Sequence, residues 1–210
     1  MQIRHSGAEP RVDPSAYVAP TATLIGAVTV GPRARVMFGA VLDAESSRVE
    51  VGECAIVCEQ AVLRATAVGD EDHPVLAGDH AFIGPHATLL GCSVQAAAYI
   101  ATGATVLHGA IIGSGAAVAV GALVHAGTRL RAAFFLPPGT VAVGDPPRTF
   151  APSQHEELAQ AIKEAGFAQR AFGVTTAWED RKRRYHKVAE VRSAEFAAHA
   201  DDEIIGDSAD

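Results

Sequence analysis

Aliphatic residues recur every six positions through most of the chain. Val12, Val18, Leu24, Val30 and Val36 open the series, and Ile83 and Leu89 resume it. Val94, Ile100, Val106, Ile112, Val118 and Val124 carry it on. Many of the repeats also place Gly or a small residue beside the aliphatic one, as in Ile83-Gly84, Ile112-Gly113 and Val120-Gly121. Others place Ala four residues after it, as at Ala22, Ala34, Ala87, Ala104 and Ala116. A period of six is not helical. It fits short strands that each turn one aliphatic side chain inward and are joined by turns where Gly relieves backbone strain. Three such strands close a triangular coil, and stacked coils make a parallel β-helix. A β-sandwich of similar composition would alternate with period two over longer strands.

Two polar stretches break the register, Asp43 to Arg48 and Ala65 to Pro74. Both are expected to protrude as loops, where sites on a rigid scaffold usually lie. After position 150 the pattern changes. Ser153 to Glu156 reads as a capping box, and Leu158, Ile162, Ala165 and Phe172 follow at helical spacing. The chain therefore divides into a solenoid over 1–150, an amphipathic helix packed on it within 151–173, and a charged tail over 174–210. The tail carries Trp178, the basic run Arg181 to Arg184 and an acidic end from Asp201, and reads as a solvated helix with a frayed terminus.

Composition narrows the choice of class. The chain is 49% hydrophobic but only 6% aromatic, which suits a thin, regular all-β core. A net charge of −7 gives no reason to expect nucleic acid or an anionic membrane as partner. Cys54, Cys58 and Cys92 form neither a disulfide framework nor a zinc ligand set. The N-terminal stretch lacks the apolar core of a signal peptide, and no apolar run reaches membrane-spanning length. A soluble, cytoplasmic protein is expected.

Five segments, in this order and spacing, carry a resemblance: VMFGAVLDAE (Val36–Glu45), VCEQAVLRA (Val57–Ala65), GDHAFIGPHATLLGC (Gly78–Cys92), TVLHGAIIG (Thr105–Gly113) and VAVGDPPRTF (Val141–Phe150). With the loop after Arg64 and the terminal helix, they resemble the γ-class carbonic anhydrase-like family of left-handed β-helix, hexapeptide-repeat proteins, which implies a left-handed parallel β-helix followed by a C-terminal helix. The resemblance implies a homotrimer with sites at subunit interfaces. In active members it implies zinc or a related divalent metal on three histidines, hydrating carbon dioxide.

At the three ligand positions the resemblance assigns, this chain has Arg64, Pro85 and Leu90. His86 falls one residue past its ligand place, and adjacent side chains point in different directions. The family's supporting Arg and Asp correspond to Asp43 and Glu45, and its Gln-Asp pair to Cys58 and Glu59. No cofactor is therefore expected, and zinc or another divalent metal only at a non-standard site.

Asp43, Glu45, Cys58, Glu59, Arg64 and His86 map onto or beside the former pocket. Arg64 in the place of the cation either binds a small anionic ligand bidentately or closes a structural ion pair with Asp43 or Glu59. Two further classes stay open. One is an acyltransferase using an interface histidine, His86, His108 or His125, as base toward an acyl-CoA. The other is a non-catalytic trimeric scaffold. His108 and His125 are expected to be ordinary surface residues, and Cys58 a small core residue rather than a reactive thiol.

Overall fold

The computed structural model describes residues 1–68 and 71–205. The tip of the second expected loop and positions 206–210 of the expected tail lie outside them. The six-residue period becomes three sheets of parallel strands, one of ten strands, whose two edge strands run antiparallel, and two of seven. The first face stacks Thr23–Ile25, Val41–Asp43, Val62–Arg64, Thr88–Leu90, Thr105–Val106 and Leu123–Val124. The second runs from Arg11–Val12 to Arg129–Leu130, and the third from Tyr17–Val18 to Phe135–Leu136. The chain visits the third, first and second faces in turn, so each coil has three corners. This is the hexapeptide β-helix expected, of about eight turns.

Register explains the period. Leu42 pairs with Leu63, Leu63 with Leu89, Leu89 with Val106 and Val106 with Val124. The result is one continuous inward column, fully buried along its length. Each such side chain contributes about 1.5–3 kcal/mol relative to its exposed state. Alanines such as Ala61, Ala87 and Ala104 fill the corners between columns. Gly84 and Gly113 are needed for close approach. A Cβ at Gly84 would lie 2.8 Å from the Ile100 carbonyl of the next coil, and one at Gly113 would lie 2.4 Å from the Ala132 nitrogen.

The two register breaks differ from expectation. The first turns inward: Asp43 and Glu45 are buried, and the Glu45 backbone sits in the left-handed region at φ 46°. The second forms a two-stranded antiparallel hairpin, Thr66–Val68 with Glu71–His73. Arg48 reaches Asp72 at 3.2 Å and ties the two together.

The expected single helix is two. Helix α1 (His155–Ala165) ends at Gly166 in the left-handed conformation, and α2 (Phe167–Phe172) ends at Gly173 in the same way. The cap of α1 is Gln154, not Ser153, and no side chain caps its amides. The Gln154 side chain instead accepts a hydrogen bond from the Ala151 amide. The apolar stripe of α1 packs Ala161, with Leu158 and Ala165, on Val141, Val143 and Phe150 of its own solenoid.

The tail is not solvated along its length. After helix α3 (Arg181–Phe196) the chain makes a tight 3₁₀ turn (Ala197–Asp201). It then adds a short strand, Glu203–Ile204, antiparallel to Gln2–Arg4. Arg184 is buried, with its guanidinium 4.6 Å from the Trp178 ring centroid and 5.1 Å from that of Tyr185. Among the described residues, no helix is long and apolar enough to cross a membrane.

Candidate functional site

The six residues singled out in the sequence divide between two corners of the coil. Cys58, Glu59 and His86 lie at the corner leading into the first face, together with Pro85. Asp43, Glu45 and Arg64 lie at or just past the far end of the same strands. His86 is exposed at φ 58°, the left-handed residue of its turn, and its amide donates to the Glu59 carbonyl at 3.0 Å. Its place is fixed by turn geometry and its ring points to solvent. Cys58 is buried, and burial, with the Glu59 charge second, pushes its thiol pKa up. That environment disfavours the thiolate a nucleophile would need.

The other corner is built from more of the chain than the sequence indicated. Arg64 pairs in register with Asp43 on one side and Leu90 on the other. Its Nε donates to Asp43 Oδ2 at 3.1 Å and lies 3.6 Å from Glu45 Oε1. The guanidinium stands 5.3 Å from the Phe196 ring centroid, and that of Arg192 stands 4.2 Å from the same ring. Arg192 Nη2 is 3.5 Å from Glu45 Oε1, and Arg192 also pairs with Glu195. His199 Nε2 is 3.5 Å from Glu45 Oε2. His5 and His199 each place Nδ1 on Asp202, at 2.6 and 2.8 Å.

Electrostatics follow from this crowding. Burial pushes the Glu45 carboxyl up first, Asp43 and Glu195 add to that, and Arg192 and Arg64 only partly oppose it. Burial alone would lower His199. The Asp202 hydrogen bond and the Asp43, Glu45 and Asp202 charges outweigh it, so its pKa lies above the usual value. The sequence reading missed Arg192, Phe196, His199 and Asp202. They sit in the charged tail, and no local pattern links them to a turn at position 45.

A second group lies further along the same edge. His108 and His125 are buried, contrary to expectation, because α2 lays Phe167 and Phe172 over them. The Phe167 ring centroid is 6.1 Å from that of His108 and 5.5 Å from that of His125. Phe172 stands 5.9 Å from His108. His73 meets His108 edge-on at 6.0 Å, and its Nε2 lies 3.1 Å from the Arg170 carbonyl oxygen. Burial above all, then the positive potential of His73 and Arg192, lowers His108 to about 4. Burial likewise lowers His125.

The fold and these corners define a hexapeptide-repeat solenoid with a helical cover. No family model matches the chain. A Bacillus cereus protein solved under an acetyltransferase designation shares the fold at 23% identity and a TM-score of 0.50, over 94% of this chain and 96% of that one. Among curated proteins, the mitochondrial gamma carbonic anhydrase 1 of Arabidopsis thaliana is 34% identical over 152 residues, 71% of this chain and 53% of that protein. Gamma carbonic anhydrase 3 of the same plant is 37% identical over 98 residues, 46% of this chain and 38% of that protein. The chain thus spans about half the length of the first of these relatives and less of the second. It belongs to the γ-class carbonic anhydrase-like family.

The family's three-histidine zinc site does not fit the residues present. Arg64 offers a guanidinium with no lone pair to donate, Leu90 a hydrocarbon and Pro85 a saturated ring. Arg64 is moreover held by two buried carboxylates.

Proposed function

We propose that this protein is a γ-carbonic anhydrase-like solenoid that does not hydrate carbon dioxide through the family's zinc position and serves as a structural subunit. The observation that carries this reading is the Arg64 Nε to Asp43 Oδ2 bond of 3.1 Å, in register beside Leu90. A permanently charged guanidinium and its carboxylate stand where a metal would have to be. Arg64 also argues against an anion pocket: two carboxylates and the Phe196 ring already surround it. An incoming anion would have to displace them in a corner richer in acid than in base. Of the two weighed uses for Arg64, the structural ion pair is therefore the better supported.

An acyltransferase base finds less support. His108 and His125 are shut under aromatic rings, and His108 is too weakly basic at neutral pH. His86 faces solvent, and among the described residues no second group of its own chain is arranged on it. The homotrimer the family implies is kept as part of this reading.

The test is a stopped-flow carbon dioxide hydration assay on the full chain, with and without added Zn²⁺. The expected rate equals that of buffer. A hydration rate abolished by Arg64→Ala, Pro85→Ala or Leu90→Ala would overturn the proposal.

A further inference from the structure

His5, Glu45 and His199 come from three distant parts of the chain, yet one donor atom of each lies within 4.8 Å of the other two. Among the described residues, they are the one group of three metal-ligating side chains so placed. We propose that they form a divalent-metal site of the zinc class, unrelated to the family's ligand positions, that fastens the tail to the solenoid. The reading does not depend on whether the protein hydrates carbon dioxide.

Four observations carry it. First, the donor set is two imidazoles and a carboxylate, a combination suited to Zn²⁺ and its neighbours. Second, Asp202 takes Nδ1 of both histidines, at 2.6 and 2.8 Å, which leaves Nε2 of each as the nitrogen able to ligate. A carboxylate behind a ligating histidine fixes its tautomer and raises its basicity. Third, both oxygens of Glu45 are buried and accept no hydrogen bond, in a residue 3% exposed. The side-chain nitrogens around it, from Arg64, Arg192 and His199, stand off at 3.5 to 3.6 Å. Buried carboxylate oxygens are rarely left so. Fourth, the charges do not balance. Among the described residues, Asp43, Glu45, Glu195 and Asp202 face Arg64 and Arg192 as their guanidinium partners, so two negative charges are unmatched when the imidazoles are neutral. One divalent cation supplies the difference.

The donor atoms are already close to coordinating distance. Ligands about 2 Å from a tetrahedral ion lie roughly 3.3 Å apart, and His199 Nε2 is already 3.5 Å from Glu45 Oε2. A cleft of about 350 Å³ lined by Ser6, Ser46, Val191 and Ala194 opens beside His5 and Glu45, which gives an ion access and leaves room for a water ligand.

Two protons, one on each imidazole, would balance the same charges, and the experiment separates the two accounts. The full chain is stripped with chelator, and Co²⁺ and Zn²⁺ are titrated in turn, by visible absorption for Co²⁺ and by calorimetry for Zn²⁺. One equivalent is expected, with the absorption of a four-coordinate Co²⁺ site. At a hundredfold excess over Kd the melting temperature is expected to rise by about 5–10 °C. Glu45→Gln keeps the shape of its side chain and is expected to abolish the Co²⁺ band. His199→Ala lies outside the solenoid core and should do the same without unfolding it. Asp202→Asn is expected to weaken binding about 10- to 100-fold. No binding by the stripped protein would overturn the proposal. So would binding that persists in Glu45→Gln and His199→Ala, which would place the metal on exposed histidines.

Discussion

Two helical covers close two corners on one edge of the solenoid, and they treat histidine in opposite ways. Under α3 and the tail, His5 and His199 sit among carboxylates, and His199 is held above its ordinary pKa. Under α2, His108 and His125 sit among phenylalanine rings, and His108 is held near 4. The difference lies in the coil's own turn as much as in what is laid over it: at one corner the buried Asp43 and Glu45 meet Arg192 and His199 from the tail, and at the other apolar rings cover the coil. A repeat protein can thus place chemically unlike sites a few coils apart by changing one turn and its cover.

The strongest way to break the comparison is at the ionic corner. Arg64→Ala leaves Asp43 and Glu45 buried with fewer counter-ions, and should cost about 3 kcal/mol in urea-unfolding stability. Arg64→Ala combined with Glu45→Gln should recover part of that loss. Equal losses in the single and double variants would show that the corner is not an ionic unit.

Acid should act on the aromatic corner. His108 has a folded pKa below its unfolded value of 6.5, so the unfolded chain takes up a proton that the folded one refuses. Its contribution is complete above pH 6.5 and is lost as pH falls from there toward 4, by about 3 kcal/mol in all. The check is the difference between the pH–stability curves of the wild type and His108→Leu, with the leucine variant expected to lose less over that window. Phe167→Ala should cost about 2 kcal/mol by thermal unfolding and move the His108 and His125 titrations, read by NMR, back up toward 6.5. The smallest effect belongs to the sequence's most conspicuous histidine. His86→Ala should change stability by no more than about 0.5 kcal/mol, since its ring is exposed and alanine meets the same backbone conformation.

These differences mark where the sequence was readable. The coil was legible because each inward residue is specified within six positions, and Leu24, Leu89 and Val106 needed no distant information. The mismatch at Arg64, Pro85 and Leu90 was legible from the resemblance. The covers were not. Gly166 splits a helical stripe that periodicity alone carries through to Phe172. The burial of His108 and His125 depends on a helix that starts far down the chain. Asp43 and Glu45, polar residues in a register break, would ordinarily face water; they turn inward because Arg192 and His199 return to meet them. Long-range pairing of single charges leaves no periodic trace.

The strand Glu203–Ile204 does more than end the tail. It lies antiparallel on Gln2–Arg4, and at the opposite edge of the same sheet Arg148–Phe150 lies antiparallel on Val141–Val143. A stack of parallel coils otherwise presents an open row of amides and carbonyls at each end, onto which another stack could add. The last strand at each edge of this sheet is short and reversed, and on one of them charged Arg4 and Glu203 pair. Short, charged edges disfavour the addition of a further strand, so the first face is built against end-to-end growth.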